Sequence, residues 1–138
     1  MSDDTSNGSG EMTREEAVQQ LSTLSSALAD ASDELVGLLN EHRERKWADN
    51  FSRFSSRIRA AKSDRQLRDA LEIHRSFYGG MGSWNDFYLQ ALGEAEERRG
   101  SLTGHLWSLS DQLEAVLAQA PPEPRVSLWQ RLFGRPGS

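Results

Sequence analysis

The sequence predicts an all-α protein, a compact antiparallel bundle of about four helices with a glycine-rich corner. Three observations carry this. Apolar residues recur at alternating three- and four-residue spacings in separate runs, a heptad-like seam rather than a strand pattern. Two Ser/Thr-x-x-Glu/Gln boxes open runs in the way that helix N-termini do. A dense glycine turn, Gly79-Gly80-Met81-Gly82, then separates two helix-like segments.

The first run opens at Thr13-Arg14-Glu15-Glu16, where the Thr hydroxyl and the Glu carboxylate each satisfy an orphan amide of the first turn. Its seam is Ala17, Leu21, Leu24, Leu28, Ala31, Leu35 and Leu38, reaching about Glu41. Gly37 weakens this helix by ~1 kcal/mol without ending it. The second, aromatic-rich seam is Trp47, Phe51, Phe54, Ile58 and Ala61. A second box, Ser63-Asp64-Arg65-Gln66, starts a third run through Leu67, Ala70, Leu71, His74, Phe77 and Tyr78. Runs two and three are short enough to form an antiparallel hairpin joined near Lys62-Ser63.

After the glycines come Phe87, Tyr88, Leu89, Ala91 and Leu92, with a break at Gly93. The last seam is Ala95, Arg99, Leu102, Leu106, Leu109, Leu113 and Val116, ending before Pro121-Pro122. Gly100 and Gly104 within it predict a kink or a snug packing site. Four seams facing one another make the bundle. In an alternative arrangement the first and last helices extend past the hairpin and dimerise through Leu21, Leu24, Leu113 and Val116. Residues 1–12 read as a disordered leader, 13–120 as the bundle, and 121–138 as a Pro-rich linker with a short amphipathic tail.

The octet from Gly79 to Asp86 has a good local explanation. Gly79 or Gly80 closes the preceding helix in the left-handed conformation, and Ser83 caps the next helix with Asp86 completing the box. The same atoms suggest a ligand site. Gly80, Gly82 and Ser83 would donate backbone amides to an anion or small molecule, beside Trp84, with Asn85 orienting it and Asp86 reading a donor group. No P-loop lysine or dinucleotide-binding strand accompanies it, which argues against a nucleotide.

Gly79-Gly80-Met81-Gly82-Ser83, an apolar residue, then Asn85-Asp86 and an apolar pair resembles the signature of a small bacterial helical domain of unknown function. Trp47-Ala48, after a first helix ending in Leu38-Leu39, is similar to that family's Trp-Ala position, and the resemblance spans approximately residues 17 to 117. Trp84 stands where the pattern expects a smaller aliphatic, so it is either surface-exposed or fills a larger pocket. The resemblance implies a stand-alone bacterial cytoplasmic protein and supplies no reaction.

Composition narrows the function classes. The 138 residues suit one domain, and the net charge of -5 argues against wholesale nucleic-acid binding. A basic stripe through Arg43, Arg45, Lys46, Arg53, Arg57, Arg59 and Lys62 reads as a solvated helix face. There is no cysteine, so thiolate and disulfide chemistry are excluded. The leader lacks the pattern of a secretory signal, and no run approaches the length of a membrane span.

His42, His74 and His105 fall on separate runs without ligand spacing, and no catalytic constellation, metal site or cofactor is expected. A His74–Asp86 dyad would require the corner to fold back on the third helix. The tail carries an apolar face of Val126, Trp129, Leu132 and Phe133 ringed by Arg125, Arg131 and Arg135. It is too short to be helical alone and is expected to dock on the bundle, on a partner, or weakly on an anionic membrane. The function expected is a non-enzymatic interaction or regulatory module, an immunity-like role included, binding another protein or itself. Trp47, Trp84, Trp107 and Trp129 are its expected anchors. The alternatives are a ligand-binding corner and a peripheral membrane protein.

Overall fold

The structure, a computed structural model, describes residues 12–79, 83–84 and 93–123. It contains helices α1 (Arg14–Glu41), α2 (Arg45–Ala60), α3 (Asp64–Ser76) and α4 (Glu94–Gln119), with no strand among the described residues. The all-α bundle predicted from the seams is what forms.

Capping sets the element boundaries. Thr13 Oγ1 accepts from the Glu16 amide at 3.0 Å, and Glu16 Oε1 accepts from the Thr13 amide at 2.9 Å. Met12, assigned to the leader from the sequence, packs partly buried against the core. α1 runs through Gly37, then closes by bonds from the Glu44 amide to Leu39 O (2.9 Å) and from the Arg43 amide to Asn40 O (3.1 Å). That pattern is a Schellman closure, and it places Arg43 in the left-handed region (φ 62°), where glycine is the usual occupant. α3 starts at Ser63, whose Oγ accepts from the Gln66 amide at 3.1 Å. The return bond lands one residue earlier than the box predicts, from the Lys62 amide to Gln66 Oε1 at 2.6 Å.

α1 packs along α2 and α4, and α3 leans against α2 and α4. Arg14 near the start of α1 reaches Asp64 at the start of α3 through two bonds of 2.8 and 2.6 Å. The same guanidinium donates to Pro121 O, just beyond the end of α4, at 2.8 Å. Two helix N-termini and one C-terminus therefore share one end of the bundle, as alternating up-and-down helices require. Across α1 and α2, Ser32 Oγ donates to Phe51 O at 2.9 Å inside the core, while Arg59 pairs with Asp30 (2.7 Å) and Asp33 (2.6 Å) at the surface.

Two expectations fail here. Leu21 and Leu113 are fully buried and Val116 nearly so, with Leu24 half-buried, so these residues form no free dimerisation seam. The four helices already cover them. Gly100 and Gly104 are exposed, and a Cβ at either would meet nothing within 4 Å, so neither is a snug packing site.

Candidate functional site

The aromatic residues collect at the end of the bundle where α3 stops. Trp47, Phe51 and Phe54 of α2 face the core because they repeat at four and three residues. Phe77 meets Phe51 edge-on at 4.9 Å, and Trp84 meets Phe51 at 4.9 Å and Trp47 at 5.1 Å. The backbone explains how Trp84 arrives there. Its amide donates to Phe77 O at 2.6 Å, which ties Trp84 to the end of α3. The Trp84 indole N–H then donates to Thr103 Oγ1 at 2.9 Å, and Arg99 of α4 lies over the ring at 5.1 Å. Trp84 is only 1 % exposed. Of the two placements the sequence allowed for it, the structure takes the larger pocket.

α3 and α4 face each other as an antiparallel ladder whose rungs fall at matching helical positions. Arg68 donates to Leu117 O at 3.3 Å, and Arg75 pairs with Glu114. Deeper in, Ser110 Oγ lies 2.8 Å from His74 Nδ1, and Tyr78 Oη lies 2.7 Å from His74 Nε2. The last rung is Tyr78 edge-on to Trp107, with ring centres 4.8 Å apart. At the opposite end of the ladder the two helices leave a groove of about 490 Å³. Leu71 and Leu117 form its floor, and Arg68, Asp69, Glu72 and Glu114 stand on its rims.

His74 is fully buried and stacks on Phe54 at 5.1 Å. Its neutral ring satisfies both neighbours, one nitrogen accepting and the other donating. Burial, assisted by the charge of Arg75, pushes its pKa down to about 4. Burial likewise raises the Tyr78 phenol, against a lowering contribution from Arg99. A serine within hydrogen-bond reach of a histidine has the outline of a nucleophile–base pair. Here both members are buried, the second ring nitrogen is held by a phenol rather than a carboxylate, and the base is weak at neutral pH. The arrangement works as a satisfied core network.

Trp107 is different. It is 41 % exposed, the large hydrophobic side chain that stands out to solvent among the described residues. It follows the seam residue Leu106 by one position and so turns out of the core beside Tyr78. Trp47 and Trp84, expected as interface anchors, are core residues instead, packed on each other and on Phe51.

Of the corner residues predicted to bind, Ser83 and Trp84 are placed, both buried, and the Ser83 hydroxyl has no hydrogen-bond partner. Gly80, Gly82, Asn85 and Asp86 lie outside the described residues, as do Trp129, Arg131, Leu132 and Phe133 of the tail. The proposed His74–Asp86 contact falls there too, although both ring nitrogens of His74 are already engaged. α3 does not close on a left-handed glycine at Gly79. Phe77 and Tyr78 amides bond back to His74 O and Arg75 O, each at 3.1 Å, and among the described residues the positive-φ glycine is Gly93 (φ 74°), just before α4. Among the described residues no His, Asp and Glu side chains converge as a metal site, and no helix is long and apolar enough to cross a membrane.

Comparison with known proteins gives one match. The family model described as Domain of unknown function (DUF6966) matches residues 40–96. The matched stretch runs from the last turn of α1 through α2, α3 and the glycine corner into the first turn of α4. It therefore includes His74, Tyr78 and Trp84 but not Trp107 or Ser110. No curated protein and no solved structure matches the chain.

Proposed function

We propose that this chain is a non-enzymatic helical module whose task is to bind another protein, with Trp107 and Tyr78 as the anchor. The observation that carries the reading is the Trp107 ring. It stands out beside Tyr78 on a rigid two-helix ladder instead of joining an aromatic core that has absorbed Trp47 and Trp84. A rigid aromatic on a preformed surface loses little entropy on binding, and such residues dominate interface energetics. Gly104, one turn before Trp107, adds no side chain to the face around it, so a partner backbone has close access.

A regulatory or immunity-like role, in which the module covers a partner's surface, belongs to this class. A chain without cysteine suits a reducing compartment, and the proposal places it in the cytoplasm. The buried Ser110–His74 pair supports the non-enzymatic reading, because a substrate has no approach to it.

The test is photo-crosslinking in cells from a reactive residue at position 107, with position 23 on the exposed face of α1 as control. One dominant protein captured at 107 and absent at 23 is the expected result. Trp107→Ala should then weaken binding to that protein by roughly 30-fold, the equivalent of about 2 kcal/mol. Equal labelling from both positions would remove the anchor and the reading with it.

A further inference from the structure

We propose that the groove between α3 and α4 is the seat of the chain's own tail, residues 124–138, docked with Val126, Trp129 and Phe133 over Leu71 and Leu117. Four observations lead there. The first is where the described chain ends. Arg14 holds Pro121 O at 2.8 Å, and the Asp64 amide donates to Glu123 Oε1 at 3.2 Å, so the chain is fixed at the N-terminus of α3. The open end of the groove begins one turn farther along that helix, at Arg68.

The second is length. Leu71 lies seven residues beyond Asp64, ~10 Å along the helix at 1.5 Å per residue. Val126 lies three positions beyond Glu123, and even that short stretch reaches ~10 Å when extended. The chain beyond Glu123 is therefore long enough to reach the groove.

The third is pattern. Val126, Trp129 and Phe133 repeat at three and four residues, the spacing by which an amphipathic helix lies in a groove. A segment this short is not a stable helix in water and gains its order from a surface. The groove's lining sets Leu71 and Leu117 among polar side chains of both helices.

The fourth is charge. Residues 124–138 contain Arg125, Arg131 and Arg135 and no acidic residue. The groove's charged lining is Asp69, Glu72 and Glu114 against Arg68 and Arg75, so its acids outnumber its cations by one even after Arg75 pairs with Glu114. The tail's cations thus meet carboxylates there. Neither Trp107 nor Tyr78 lines the groove, so this inference stands independently of the anchor assigned to them.

The absence of cysteine from the chain makes a direct test clean. In the full chain, Glu72→Cys with Leu132→Cys reports docking, and Gln19→Cys with Leu132→Cys serves as control. Glu72 and Gln19 are both exposed, so neither change touches the core, and Gln19 lies nearer the point where the tail is tethered. Under mild oxidation the Glu72 pair should close an intramolecular disulfide at least 10-fold faster than the control pair. Adding Trp129→Ala should erase that advantage. Equal rates, or disulfide-linked dimers in place of closed monomers, would overturn the proposal. Neither outcome bears on crosslinking at position 107, so the two readings fail separately.

Discussion

At the scale of single residues, His74 is the group whose chemistry the fold changes most. A histidine on a helical seam is ordinarily a surface or rim residue with a pKa near 6.5. Here it is enclosed by Phe54, Ser110 and Tyr78, and burial lowers its pKa to about 4. The folded state thus binds its proton later than the unfolded chain does. Stability from this group is complete above the unfolded value and is lost as pH falls through the interval from about 6.5 down to about 4. Between pH 7.5 and pH 5 the loss is about 2 kcal/mol. Urea denaturation across that range should show the slope, and His74→Gln should flatten it. An unchanged slope in the variant would place the proton uptake elsewhere.

At the scale of elements, α4 carries two glycines, Gly100 and Gly104, in its interior. Glycine there forfeits about 1 kcal/mol relative to alanine through the extra freedom of the unfolded chain. The usual compensation is a close neighbour, and at both positions a new Cβ meets nothing within 4 Å. Gly100→Ala and Gly104→Ala should therefore each stabilise the protein by ~0.5–1 kcal/mol in thermal or chemical denaturation. Gly93 is the contrasting case. It holds φ 74° and ψ -124° at the start of the same helix, a conformation that suits glycine. One glycine that the backbone requires thus precedes the helix, and two that it does not require lie within it.

At the scale of the whole molecule, Arg14 joins parts of the chain that are far apart in sequence. Its guanidinium bridges the start of α1, the start of α3 and the segment after α4, with Glu123 a further 3.6 Å partner. The boundary drawn from sequence at Pro121 therefore falls inside a set of bonds that close one end of the bundle. Truncation after Glu123 should leave the bundle folded. Truncation after Ala120 removes the Pro121 carbonyl and the Glu123 carboxylate from a largely buried arginine, and should be less stable by a further ~1–3 kcal/mol. Comparing the two chains in denaturant measures the contribution of this junction. Equal stabilities would show that water replaces both acceptors without penalty.

The sequence by itself determined the elements. Seam spacing, the Thr13 and Ser63 caps and the stop before Pro121 depend on partners within about four residues, and such interactions can be read along one strand of text. Trp107 was legible in the same way, one position off its seam. Only the tertiary structure decided which side chains those elements bring together. Ser110 meets His74 across 36 residues and Arg14 meets Asp64 across 50, and no local period encodes the relative sliding of two helices. Trp84 belongs to no apolar seam of the sequence. Its burial follows from the space left between α2 and α4 once both have packed, and that space exists only in the assembled bundle.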